Sequence, residues 1–99
     1  MLDPRLVAVE PIGRKYVRDP LHGWASGAWP VYPPSPRGRE LRDARVSAHV
    51  MLVEASRAAG LRISEWSALE YGSVVPRDGW DWLFAAVKRA AARMKSGRR

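Results

Sequence analysis

The chain has 99 residues, enough for one domain and one modest core. It contains no cysteine, and its two histidines, His22 and His49, come with no ligand spacing for a zinc site. The net charge of +7 favours polyanionic partners without deciding the fold.

Asp3 and Pro4 stand where a signal peptide would carry a basic region followed by an apolar one. No apolar run reaches the length of a membrane span, so no membrane is expected and the placement is cytoplasmic. Arginine outnumbers lysine 14 to 3. A guanidinium forks a phosphate or a guanine edge better than an ammonium does.

Residues 1–37 hold seven of the eight prolines, at positions 4, 11, 20, 30, 33, 34 and 36. Helices rarely survive that density, and central strands reject it. Tyr16, Trp24, Trp29 and Tyr32 are interleaved with the prolines and glycines. Disordered tails are poor in aromatic residues, so an ordered, extended arm is expected, packed on the helical body or on a protein partner. Within it, Leu6 to Val9 suits one short extended stretch. The VYPPSP run from Val31 reads as a polyproline-type lead-in.

From Gly38 the pattern turns helical. Leu41, Ala44 and Ala48 share one face of a first helix over 38–47. A second helix starts at Leu52, with Leu52, Ala55, Ser56 and Ala59 inward. It stops at Gly60, which takes positive φ without a steric penalty. A third helix covers 63–71, with Trp66 and Leu69 inward and Gly72 as its stop. Ser64 is one candidate cap for its start; Arg62 as the boundary, with Glu65 in the first turn, is the other.

Residues 73–77 read as loop before a last helix over 79–95, capped by Asp78. There Trp80, Leu83, Phe84, Val87, Ala91 and Met94 form an apolar stripe at helical period, which reads as core. The stretch 85–99 carries six basic residues and no acid. Residues 96–99 form a basic tail. The expected fold is all-α: four or five short helices behind an extended Pro/Trp-rich N-terminal arm.

The second and third helices, joined across Gly60, have the form of a helix-turn-helix. Such a pair crosses steeply and needs a small residue at the close approach, here Ser56, and apolar filling, here Leu61, Trp66 and Leu69. Over a longer span Leu41, Arg45, Gly60, Ser67, Leu69, Glu70, Gly72 and Pro76 fall at the spacings of a known family without a gap. In this the chain resembles the Cro/C1-type (lambda repressor-like, XRE) DNA-binding domain.

The resemblance implies a lambda repressor-like helix-turn-helix fold and a buried ion pair between Arg45 and Glu70. It also implies that the third helix enters the major groove. Arg62, Ile63, Ser64, Ser67 and Ala68 would then meet base edges. Arg57, Arg77, Lys88, Arg89, Arg98 and Arg99 would contact phosphates. The chain departs from the family in having His49 where a turn glycine is usual. Ala55-Ser56 stands where Leu-Ala is usual, and Leu52 replaces a polar opener. Trp66 replaces a smaller residue, and a large ring beside Ala55 conserves core volume.

Residues 60–69 also resemble the segment around the first catalytic arginine of tyrosine recombinases. That match covers ten residues, and the chain lacks the rest of such a domain.

The expected function is sequence-specific binding of double-stranded DNA by a small, nucleoid-associated transcriptional regulator. A homodimer would place half-sites roughly 34 Å apart. The alternative is a protein-interaction module, antitoxin-like or a phage assembly component, on a retained helix-turn-helix scaffold. Paired carboxylates, a nucleophile–base pair and a phosphate loop are all missing from the sequence, so neither an enzyme nor a cofactor is expected.

Overall fold

The computed structural model describes residues 1–18 and 25–97, with side chains outside 15–28 and 96–99. Trp24, Arg98, Arg99 and the Tyr16 side chain lie outside the described residues. In chain order the elements are β1 (Leu6–Ala8), β2 (Gly13–Arg18), β3 (Ala25–Val31), α1 (Pro36–Ser47), α2 (Leu52–Ala59), α3 (Ile63–Tyr71), β4 (Val74–Pro76) and α4 (Asp81–Gly97).

Among the described residues four helices are accompanied by two antiparallel two-stranded sheets, and the all-α expectation is overturned. β1 pairs with β4, with Leu6 opposite Pro76 and Ala8 opposite Val74. The ladder is lengthened by Val9 N–H donating to the Ser73 carbonyl and Arg77 N–H to the Arg5 carbonyl. Leu6 and Val74 turn inward and are buried. The short extended stretch expected over Leu6 to Val9 thus pairs into the folded body as β1, and residues 74–76 are strand rather than loop.

β2 and β3 form a separate hairpin with an irregular register between Tyr16 and Arg18. Pro30 sits within β3, opposite Arg14. A two-stranded ribbon has only edge strands, and proline is tolerated at an edge. The proline density excludes central strands, and edge strands like these accept it. The hairpin leads into Tyr32, whose ring meets Tyr71 edge-on at 5.9 Å. Trp29, by contrast, stays largely exposed.

α1 begins at Pro36, two residues before its expected start. Ser35 accepts a hydrogen bond from Gly38 N–H at 3.3 Å, and proline suits the first helical position. The first three helices end on a left-handed residue: His49 at φ 58°, Gly60 at 71° and Gly72 at 101°. At α1 the His49 N–H reaches the Val46 carbonyl and the Val50 N–H reaches that of Arg45, a Schellman closure. α4 starts at Asp81 rather than 79 because Gly79, at φ 102°, turns the chain first. The Trp80 carbonyl, not the expected Asp78 side chain, takes up the first helical N–H groups, those of Leu83 and Phe84.

Trp66, Leu41, Leu69 and Leu83 are fully enclosed at the centre. Ala55 is enclosed with them, so a large ring and a small neighbour share the core. α2 packs against both α3 and α4, and α1 against α3 and α4.

Candidate nucleic-acid interface

α2 and α3 are separated by only Gly60, Leu61 and Arg62. Gly60 supplies the left-handed turn and Leu61 drops into the core. Ser56 is buried at the close approach, its hydroxyl donating to the Val53 carbonyl at 3.1 Å.

The helical period then divides α3 into two faces. Glu65, Trp66 and Leu69 point inward, while Arg62, Ile63, Ser64 and Ser67 are exposed and Ala68 is half-buried. The five side chains expected to read bases thus lie along one stretch of surface. Arg62, not Ser64, is the boundary residue, because the Glu65 carboxylate accepts the Arg62 N–H at 2.9 Å. This turns Glu65 away from the exposed face.

Burial pushes the Glu65 carboxyl up. The backbone N–H groups of Arg62 and Asp3 and the nearby Arg62 guanidinium outweigh it, so the carboxyl ionises below its usual range.

The second N–H donor to Glu65 comes from the far end of the chain. Asp3 N–H donates to Glu65 Oε2 at 2.7 Å. Residues 1–5 form a strap across the turn and the first turn of α3. Arg5 anchors it: its guanidinium donates twice to Asp3, each at 3.0 Å, and once to the Gly60 carbonyl at 3.1 Å. It also lies 4.6 Å from the ring centre of Trp82. The Arg62 guanidinium donates to the Met1 carbonyl. Asp3 and Arg5 carry no sequence signal for this role. Apart from each other, their partners Glu65 and Gly60 are more than fifty residues away, and folding β1 against β4 brings them together.

Behind the exposed face, Arg45 Nε donates to Glu70 Oε2 at 2.6 Å and its NH2 to Oε1 at 3.1 Å. Glu70 also accepts the Trp66 indole N–H at 2.6 Å, and Arg45 donates to the Val50 carbonyl at 3.0 Å. The pair is nearly enclosed, and this network fixes α1, the α1–α2 turn and α3 in one frame.

The basic residues expected on phosphates are more scattered. Arg77 lies beside the strap, donating to the Pro4 carbonyl at 3.2 Å. Arg57 lines a cleft between α2 and α4 with Glu54 and Arg93. Arg89 spans the same two helices, donating to the Ala58 carbonyl at 2.9 Å in the last turn of α2. Lys88 groups with Arg37 and Phe84 between α1 and α4, not with α3.

No helix among the described residues is long and apolar enough to cross a membrane. No protein-family model, curated protein or solved structure matches the chain.

Proposed function

We propose that the protein binds double-stranded DNA with the exposed face of α3 in the major groove, as a small, nucleoid-associated transcriptional regulator of the Cro/C1 type acting as a homodimer. One observation carries this reading: the period of α3 separates a fully inward set, Glu65, Trp66 and Leu69, from an outward set of hydrogen-bonding and small apolar side chains. B-DNA's major groove admits a helix of this width. Arg62 suits a guanine edge, Ser64 and Ser67 suit several bases, and Ile63 and Ala68 suit a thymine methyl. Glu65, the one acid within this stretch, is tied down inside and does not repel phosphate.

Selection from a random duplex library is the test. A recovered motif that is lost with Arg62→Ala and Ser67→Ala is the expected result. Binding without a motif, vanishing near physiological salt, is the behaviour of charge alone and would sink the reading.

A specific feature favours a second reading, a protein-interaction module. Met51, Ile63 and Tyr71 are large apolar side chains left exposed around α2 and α3. In addition, the start of α2 is occupied by the Glu54 carboxylate, which accepts Met51 N–H at 2.8 Å where a phosphate would dock. Library selection separates the two readings, because a protein-binding surface selects no DNA motif.

A further inference from the structure

The strap of residues 1–5 is held by several contacts at once. Arg5 has a bidentate partner in Asp3, a carbonyl partner in Gly60 and an aromatic face in Trp82. Arg5 N–H also closes onto Asp3 Oδ1 at 2.9 Å, and Leu6 N–H onto the Asp3 carbonyl at 3.0 Å. Asp3 is therefore fixed from its side chain, its N–H and its carbonyl. Everything fixed this way converges on the first turn of α3. Glu65 receives the Asp3 N–H, and its other oxygen lies 3.6 Å from Arg62 Nε. The Met1 carbonyl receives an N–H of the same guanidinium.

A free arginine side chain has rotamer entropy to lose on binding. Arg62 has surrendered part of it already, yet its side chain remains 61% exposed. A guanidinium held from behind and open in front is arranged to present its remaining N–H groups to a flat acceptor edge.

We propose that Asp3 is a positioning residue for Arg62. It fixes the strap so that the Met1 carbonyl and Glu65 aim the Arg62 guanidinium at a guanine, and it thereby sets discrimination at the base pair that Arg62 reads. This rests on the DNA-binding reading. A strap of this kind extends the recognition surface beyond the helix-turn-helix, and residues 1–5 become part of what specifies the site.

The test uses the full chain and the motif recovered from the library. Binding is measured to that motif and to versions with each base pair changed in turn. Arg62→Ala identifies the base pair it reads, where the wild type discriminates on the order of ten- to a hundredfold. Asp3→Ala should lose most of that discrimination at the same base pair and keep it elsewhere. The Trp66 indole N–H resonance, bonded to Glu70, reports that the fold is retained.

Wild-type discrimination in Asp3→Ala overturns the inference, as does an equal loss at every base pair, which a merely structural role would give. A wild-type chain that selects no motif overturns the DNA reading and this inference together. Should Asp3→Ala fail to fold, the wild type decides through the Arg62 Nε–H resonance. A distinct signal slow to exchange supports positioning, and one averaged like that of free arginine overturns it.

Discussion

At Gly38, α1 passes so close to the end of α3 that a methyl group has no room. A Cβ built there falls 2.4 Å from the Leu69 carbonyl oxygen, which is backbone and cannot swing aside. Gly38→Ala gains helix propensity but forces α1 away from α3. Overpacking of this kind costs about 1–3 kcal/mol, and denaturant unfolding should show the loss. His49 presents the opposite case. It holds φ at 58°, a conformation that strains an L-residue by about 1–2 kcal/mol. His49→Gly removes that strain and gives back part of it as unfolded-state entropy. A gain of about 0.5–1 kcal/mol is expected on the same assay, with a loss for the β-branched His49→Val.

Asp3 gives a prediction in pH. Its hydrogen bonds from the Arg5 side chain and backbone pull its pKa from 3.8 to about 2. The folded value lies below the unfolded one, so the stabilisation is complete above 3.8 and is lost as pH falls toward about 2. Glu65 is lowered too, and its contribution fades below its ordinary 4.5. Asp3→Asn should therefore flatten the acid limb of the stability curve in that window. An unchanged limb would remove Asp3 from the linkage.

Among the elements, α3 is the most legible from sequence, and the reason is local. Gly60 and Gly72 bracket it, each in the left-handed region, and its inward residues recur at three and four. The Arg45–Glu70 bond follows the same frame, so a double-mutant cycle belongs at this scale. Arg45→Met leaves a nearly enclosed carboxylate short of its cation, which typically costs about 3–5 kcal/mol. Glu70→Leu should cost at least as much, because it strands both the guanidinium and the Trp66 indole N–H. The double variant should be less destabilised than the sum of the two; additive losses would mean that the groups do not cooperate.

The β elements are legible only in part. Leu6 to Val9 reads as one short extended stretch, and β1 lies there. β1 and β4 are three residues each, too short for a period, and their partners lie 66 to 70 residues apart in sequence, so nothing local marks the pairing. In the hairpin, proline counted against strand because a central strand was the comparison, whereas both strands here are edges. The exposed face of α3 is visible in the sequence because it follows from helical period. The strap that borders it is not, because Asp3 meets Glu65 only through the β1–β4 pairing.

The whole molecule divides its stability unevenly along the chain, and the division runs against sequence position. Leu6 stands thirty residues before the first helix of the core that it enters, yet it is only 2% exposed. Leu6→Ala leaves a cavity where β1 meets the helices, and such truncations cost about 2–5 kcal/mol. The loss should also free the strap, since Arg5 hydrogen-bonds to Arg77 through the same ladder. Among the described residues, the hairpin between that strand and α1 makes its ladder bonds within itself. Isolated two-stranded hairpins are at best marginally stable in water, so this one contributes little to holding the body together.

Its two ends already meet, with Ile12 N–H bonded to the Val31 carbonyl at 2.7 Å. Replacing residues 13–30 by Gly-Gly therefore closes a turn at a pair the fold has brought together, and shortens the loop in the unfolded chain as well. Unfolding of the excised chain should differ from wild type by less than about 1 kcal/mol, since no described side chain of residues 13–30 belongs to the core. The Trp66 indole resonance should stay in place. A collapse of either would show that the hairpin supports the helices. Retention of both would make the hairpin dispensable for folding, and any loss of DNA or partner binding in that variant would then be a direct measure of what the hairpin does.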